Sequence, residues 1–91
     1  MKWYKASEYK EVAQNLKTLE TMAFLTDVVC PVWLVMNEDK TKIGFAVNLF
    51  GKWIKAYNDY VEYLSDVAYF APVTDAFMSP SPAWRDNFKG V

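Results

Sequence analysis

The chain has 91 residues, 53% of them hydrophobic and 18% aromatic, with a formal net charge of −1. That length fits one domain, and its ten Lys and Arg and eleven Asp and Glu are scattered, which supports neither the clustered basic footprint of a nucleic-acid-binding domain nor the dense acidic surface of a DNA mimic. Cys30 is the only cysteine, so no intrachain disulfide can form, and a domain this small without one is expected in a reducing, cytoplasmic compartment.

Residues 1–5, Met-Lys-Trp-Tyr-Lys, put no uninterrupted apolar stretch behind their charges, so no secretory signal is expected here. Residues 2–6 alternate weakly and suit a short N-terminal strand. Ser7 is placed to cap a helix, and Glu8 suits the positive end of its dipole. Tyr9, Val12, Ala13, Leu16, Leu19 and Ala23 recur at helical spacing, which predicts an amphipathic helix over residues 8–25. Glu20 falls inside that apolar arc. A buried carboxylate is costly, so Glu20 is expected either to snorkel at the core edge or to make a polar contact in binding.

Residues 28–36 form the longest charge-free apolar run. It contains Pro31 and is well short of the ~20 residues a membrane helix needs, so it reads as a strand with Pro31 at its start or on an edge. The polar turn Asn37-Glu38-Asp39-Lys40-Thr41 follows. Ile43, Phe45, Val47 and Leu49 then alternate with Lys42, Gly44, Ala46 and Asn48, which predicts a strand over 42–49 in a hairpin with the first. The face carrying Gly44 and Ala46 is nearly bare and leaves room for a ring or a second sheet to approach.

Gly51 interrupts the chain. Beyond it Ile54, Tyr57, Val61, Leu64 and Ala68 stand at intervals of three and four, which predicts a second helix over 52–70, ended by Ala71-Pro72. The fold class expected is therefore α+β: a small antiparallel sheet, with a short N-terminal strand, packed against two helices. The chain reads as a single domain, with residues 1–71 as core and 72–91 as an irregular, Pro-rich tail. In that tail Ser79-Pro80-Ser81-Pro82 leads to Trp84 and Phe88, which would share one face of a short helix.

On the predicted second helix Trp53, Tyr60, Tyr63 and Val67 widen the apolar stripe that Tyr57 belongs to, to an arc of roughly 160–180° where ~100° suffices. Two uses for that width stay open: a contact surface for a twin subunit or partner, or a seat for the tail. The candidate interface is thus Trp53, Tyr57, Tyr60, Tyr63, Val67, Trp84 and Phe88. Asp59, Glu62 and Asp66 form a second stripe, readable as an ordinary solvated face or as polar contacts for a basic partner. A hard cation wants six or more oxygens, so these three carboxylates are not expected to hold a metal.

Catalytic equipment is sparse. The sequence has no histidine and its three glycines, Gly44, Gly51 and Gly90, stand apart, so neither a Ser–His or Cys–His nucleophile nor a phosphate-cradling loop is available. The function expected is non-enzymatic: binding through an aromatic surface, as an inhibitor or adaptor of another protein, of the kind phages and mobile elements encode. The competing expectations are a homo-oligomer holding a small aromatic or nucleotide-like ligand, and a virion or scaffold component. Partners expected are a second copy of the chain and another protein, with no nucleic acid, no membrane and no cofactor.

Overall fold

A computed structural model describes residues 2–23 and 28–74. In chain order the elements are β1 (Tyr4–Lys5), a 3-10 turn (Ala6–Glu8), the single turn α1 (Tyr9–Val12), a second 3-10 turn (Ala13–Asn15), β2 (Thr21–Ala23), β3 (Val29–Pro31), β4 (Trp33–Asn37), β5 (Ile43–Leu49), β6 (Lys52–Lys55), β7 (Tyr63–Leu64) and β8 (Val67–Pro72). Six strands form one antiparallel sheet in the order β1-β8-β4-β5-β6-β7, and β2 pairs with β3 in a separate ladder.

The fold is therefore mostly β, which overturns the expectation of two helices packed on a small sheet. The predicted helix over 52–70 does not form. Its residues make β6, β7 and most of β8, joined by a loop through Asn58 and by the two residues Ser65 and Asp66. The dense β-branched and aromatic content of Trp53, Ile54, Tyr63, Val67, Tyr69 and Phe70 suits a pleated, half-buried surface better than a helix. The predicted helix over 8–25 survives only as the helical turns of residues 6–15. Ser7 lies within the first 3-10 turn, and no side chain caps any of the three turns. At Leu16 the backbone is already extended (φ −112°, ψ 149°).

β4 and β5 pair antiparallel, Trp33 with Ala46 and Met36 with Ile43. The stretch read as one strand over 28–36 is two: Val29–Pro31 pairs with β2, Trp33–Asn37 with β5 and β8, and Val32 separates them. The sheet also runs past the expected end of the core, because Pro72 belongs to β8 and Val73 is fully buried.

Period-two alternation sorts the interior onto the two faces of the sheet. One face carries Val32, Leu34, Phe45, Val47, Ile54 and Ala71, with Cys30 from β3 and Met22 from β2 packed over it. The other carries Trp33, Val35, Ala46, Trp53, Leu64 and Phe70, and the helical turns lay Tyr9, Val12, Ala13 and Leu16 across it. The molecule is thus layered: helical turns, six-stranded sheet, two-stranded ladder.

The helical turns sit where they do because of the small residues opposite. Ala46, paired with Trp33, leaves space for large rings. Tyr9 fills it, meeting Trp33, Trp53 and Phe70 at centroid distances of 5.7, 5.0 and 5.1 Å and interplanar angles of 90°, 75° and 65°. These edge-to-face contacts set the positive rim of one ring against the negative face of the next, worth about 0.5–1.5 kcal/mol each beyond area burial.

Beyond the Trp33–Pro72 pair, residues 18–20 tie the ends of β4 and β8 together. Leu19 N–H donates to the Val73 carbonyl (3.0 Å) and Val32 N–H to the Glu20 carbonyl (2.8 Å). The Thr18 hydroxyl donates to the Val32 carbonyl (2.7 Å) and accepts from Val73 N–H (2.9 Å).

Candidate functional site

The β5–β6 connection is a two-residue loop, because Leu49 pairs with Lys52. Its central residues, Phe50 (φ 53°) and Gly51 (φ 81°), both have positive φ. This matches the twist of the flanking strands, and Asn-Gly or Asp-Gly normally occupies such turns. Phe50 is a bulky residue in a conformation that costs an L-residue roughly 1–2 kcal/mol, and it is 97% exposed. Local packing therefore gives no reason for a phenylalanine there. Residues held in such sparsely populated conformations cluster at binding and switch sites.

Beside this tip runs a groove of about 840 Å3. One wall is the helical segment and its continuation, with Tyr9, Ala13, Leu16 and Thr18. The other is the sheet, with Trp33, Asn48 and the Phe50-Gly51 tip. Thr21 and Pro31 of the two-stranded ladder close one end. The volume lies within the ~300–1,000 Å3 range of ligand pockets, and the mixture of apolar walls with a few polar groups is typical of them. Lys10 and Lys17 also line it and, among the described residues, no carboxylate does, so this lining is cationic in a chain of net charge −1.

Trp33 is only 3% exposed, and its indole N–H lies against the Tyr9 phenol oxygen. Burial raises the pKa of the neighbouring Tyr9 phenol above its ordinary value of 10.0; the Trp33 indole pulls it the other way and Cys30 adds to the rise. Cys30 is buried, and that burial pushes its thiol up from 9.0, which makes it a poor thiolate nucleophile at neutral pH.

The residues proposed from sequence do not come together as one surface. Trp53 is core, enclosed by Tyr9 and Phe70, and Val67 packs half-buried against the same cluster. Tyr57 and Tyr60 are exposed beyond the far end of β6 from Phe50, and Tyr63 is exposed on β7 beside β6. Tyr57 retains a ring contact with Phe45 (5.7 Å), and the Lys52 ammonium stands 5.4 Å from the Tyr63 ring centroid. Trp84 and Phe88 lie outside the described residues.

The expected polar stripe dissolves with its helix. Asp59 and Asp66 are exposed on separate turns, while Glu62 is half-buried and accepts from Asn58 Nδ2 at 3.3 Å. Glu20 is half-buried in an extended segment rather than in a helical arc. Among the described residues no group of three or more His, Cys, Asp or Glu is arranged to hold a metal ion, and no helix is long and apolar enough to cross a membrane.

Phe50 and Gly51 lie where the sequence predicts only a break before a helix over 52–70. The legible signal was a Phe-Gly pair between two β-compatible runs, which is a hairpin connection. No protein-family model, curated protein or solved structure matches this chain.

Proposed function

We propose that the protein is a non-catalytic binding protein that engages another protein through the groove and the Phe50 tip beside it. The observation that carries this reading is Phe50 itself: 97% exposed, and in a left-handed conformation that asparagine or glycine would adopt at lower cost. An aromatic ring held out at a turn, next to an apolar groove, supplies the anchor around which interface energy concentrates. Burying such a ring against a partner is worth about 1.5–3 kcal/mol. The groove walls are backed by the sheet and its aromatic cluster, and a preformed wall lowers the ordering cost of association.

A non-catalytic role draws support from the chemistry available. The sequence has no histidine, and the one cysteine is buried with its thiol pKa raised.

Phe50→Asn tests this reading. The substitution suits the turn, so the fold is retained and the melting temperature stays level or rises. A partner captured by the native chain from cells in which it naturally occurs should be lost by the variant. An identical set of captured proteins for the two chains would contradict the proposal.

A further inference from the structure

We infer that the groove takes an acidic, apolar segment of a partner protein: a peptide with an aromatic or aliphatic anchor beside one or more carboxylates. This rests on the proposed binding role of the groove and names the chemistry of its occupant. Two observations support it. First, Lys10 and Lys17 line the groove and, among the described residues, no Asp or Glu does, although acidic residues outnumber basic ones in the chain. Both lysines are exposed, so each can turn toward a carboxylate while its stem covers apolar wall. Second, the walls between them are Tyr9, Ala13, Leu16 and Trp33, surfaces that favour an apolar side chain.

Thr18, Asn48 and Gln14 add neutral donors and acceptors along the path, suited to the backbone of an extended peptide. A basic segment would meet like charge at both lysines. A nucleic-acid strand would require a longer positive track than two lysines provide.

The test is a titration of the full chain, followed by amide and indole 1H–15N signals, with three short synthetic peptides. Each carries a Phe-Leu pair, flanked by glutamates, by glutamines or by lysines. The glutamate peptide is expected to shift the amides of Ala13, Thr18, Asn48 and Gly51 and the Trp33 indole signal. It should bind about threefold to tenfold tighter than the glutamine peptide, which is what two exposed ion pairs supply. Added salt and the Lys10→Glu/Lys17→Glu double variant should erase that margin. Both lysines are exposed, so an unchanged melting temperature verifies that the variant is folded.

Equal affinity for all three peptides, with binding lost on Phe50→Asn, would overturn the charge inference and leave the binding role standing. Failure of every peptide to shift the groove signals would overturn the inference, while the partner-capture comparison judges the binding role independently. Tighter binding of single-stranded oligothymidylate at the same signals would also overturn it. So would concentration-dependent shifts of the groove signals in the protein alone, since the occupant would then be a second copy.

Discussion

Thr18 and Val73 are joined across 55 positions of sequence: Val73 N–H donates to the Thr18 hydroxyl at 2.9 Å, and that hydroxyl donates onward to the Val32 carbonyl at 2.7 Å. One side chain thereby satisfies a donor next to β8 and an acceptor next to β4. Because Thr18 also lines the groove, the same contact fixes the groove wall to the sheet.

Thr18→Val, which keeps the shape and removes the hydroxyl, should destabilise the fold by about 2 kcal/mol, since two backbone groups lose their partner. Thr18→Ser keeps both bonds and should cost less than about 1 kcal/mol. Urea unfolding of the two variants checks the difference. Equal losses would mean that packing of the methyl group, rather than the hydroxyl bridge, matters at this position.

Asn37 organises the β4–β5 turn. It is the buried polar residue of the described chain, its Oδ1 accepts from Thr41 N–H and Lys42 N–H, and its Nδ2 donates to Thr41 Oγ1, each at 2.9 Å. Asn37→Ala should cost about 2–3 kcal/mol, because two backbone donors lose their acceptor. Asn37→Asp preserves those acceptors and should cost less at neutral pH. Denaturant midpoints of the pair decide this.

Tyr60 is 68% exposed and Tyr63 60% exposed, whereas Trp53 is buried. Tyr60→Ala should therefore change stability by no more than about 0.5 kcal/mol. Tyr63→Ala should cost up to about 1 kcal/mol, through its contact with Lys52. Trp53→Ala should cost about 3–5 kcal/mol. Urea unfolding that ranked the two tyrosines with Trp53 would contradict the placement of these rings.

Alkaline pH should titrate the half-buried Tyr9 phenol. Burial raises the Tyr9 pKa above 10.0 in the folded protein, so on raising the pH the unfolded chain loses that proton first. The stabilisation is complete below pH 10.0 and declines as pH rises toward the folded value. Cys30, raised from 9.0, begins its decline earlier. Tyr9→Phe should flatten the fall in melting temperature above pH 10.0, and Cys30→Ala the part that begins near 9.0. An unchanged alkaline profile in both variants would contradict the burial described for them.

The physical pattern explains what was legible in the sequence. Tyr9, Val12, Ala13 and Leu16 do share a face and do pack on the sheet; the error was to extend that face through Leu19, which lies in the extended segment tied to Val73. Bonds from residues 18–20 to residues far along the chain outweighed local helix periodicity there. The room beside Gly44 and Ala46 was visible because small residues alternate with large ones, and the Tyr9 ring with its neighbours occupies that face. Residues 52–70 misled because Ile54, Tyr57, Val61, Leu64 and Ala68 satisfy helical spacing while their composition favours strand. Asn58-Asp59 and Ser65-Asp66 were turn signals that a continuous helix had to ignore. The groove itself was not legible, since it brings together Tyr9, Trp33 and Phe50 from three separate elements.

Photo-crosslinking from position 50 tests the central claim most directly. p-Benzoylphenylalanine in place of Phe50, with the same substitution at Tyr60 as the comparison, would be irradiated in a lysate of the cells where the protein naturally occurs. The expected result is a discrete covalent adduct with one partner protein from position 50 and none from position 60, the adduct fading when a competing glutamate-flanked Phe-Leu peptide is added. An adduct from position 60 alone, with position 50 inert, would move the binding surface to the tyrosine loop at the far end of β6 and contradict the account.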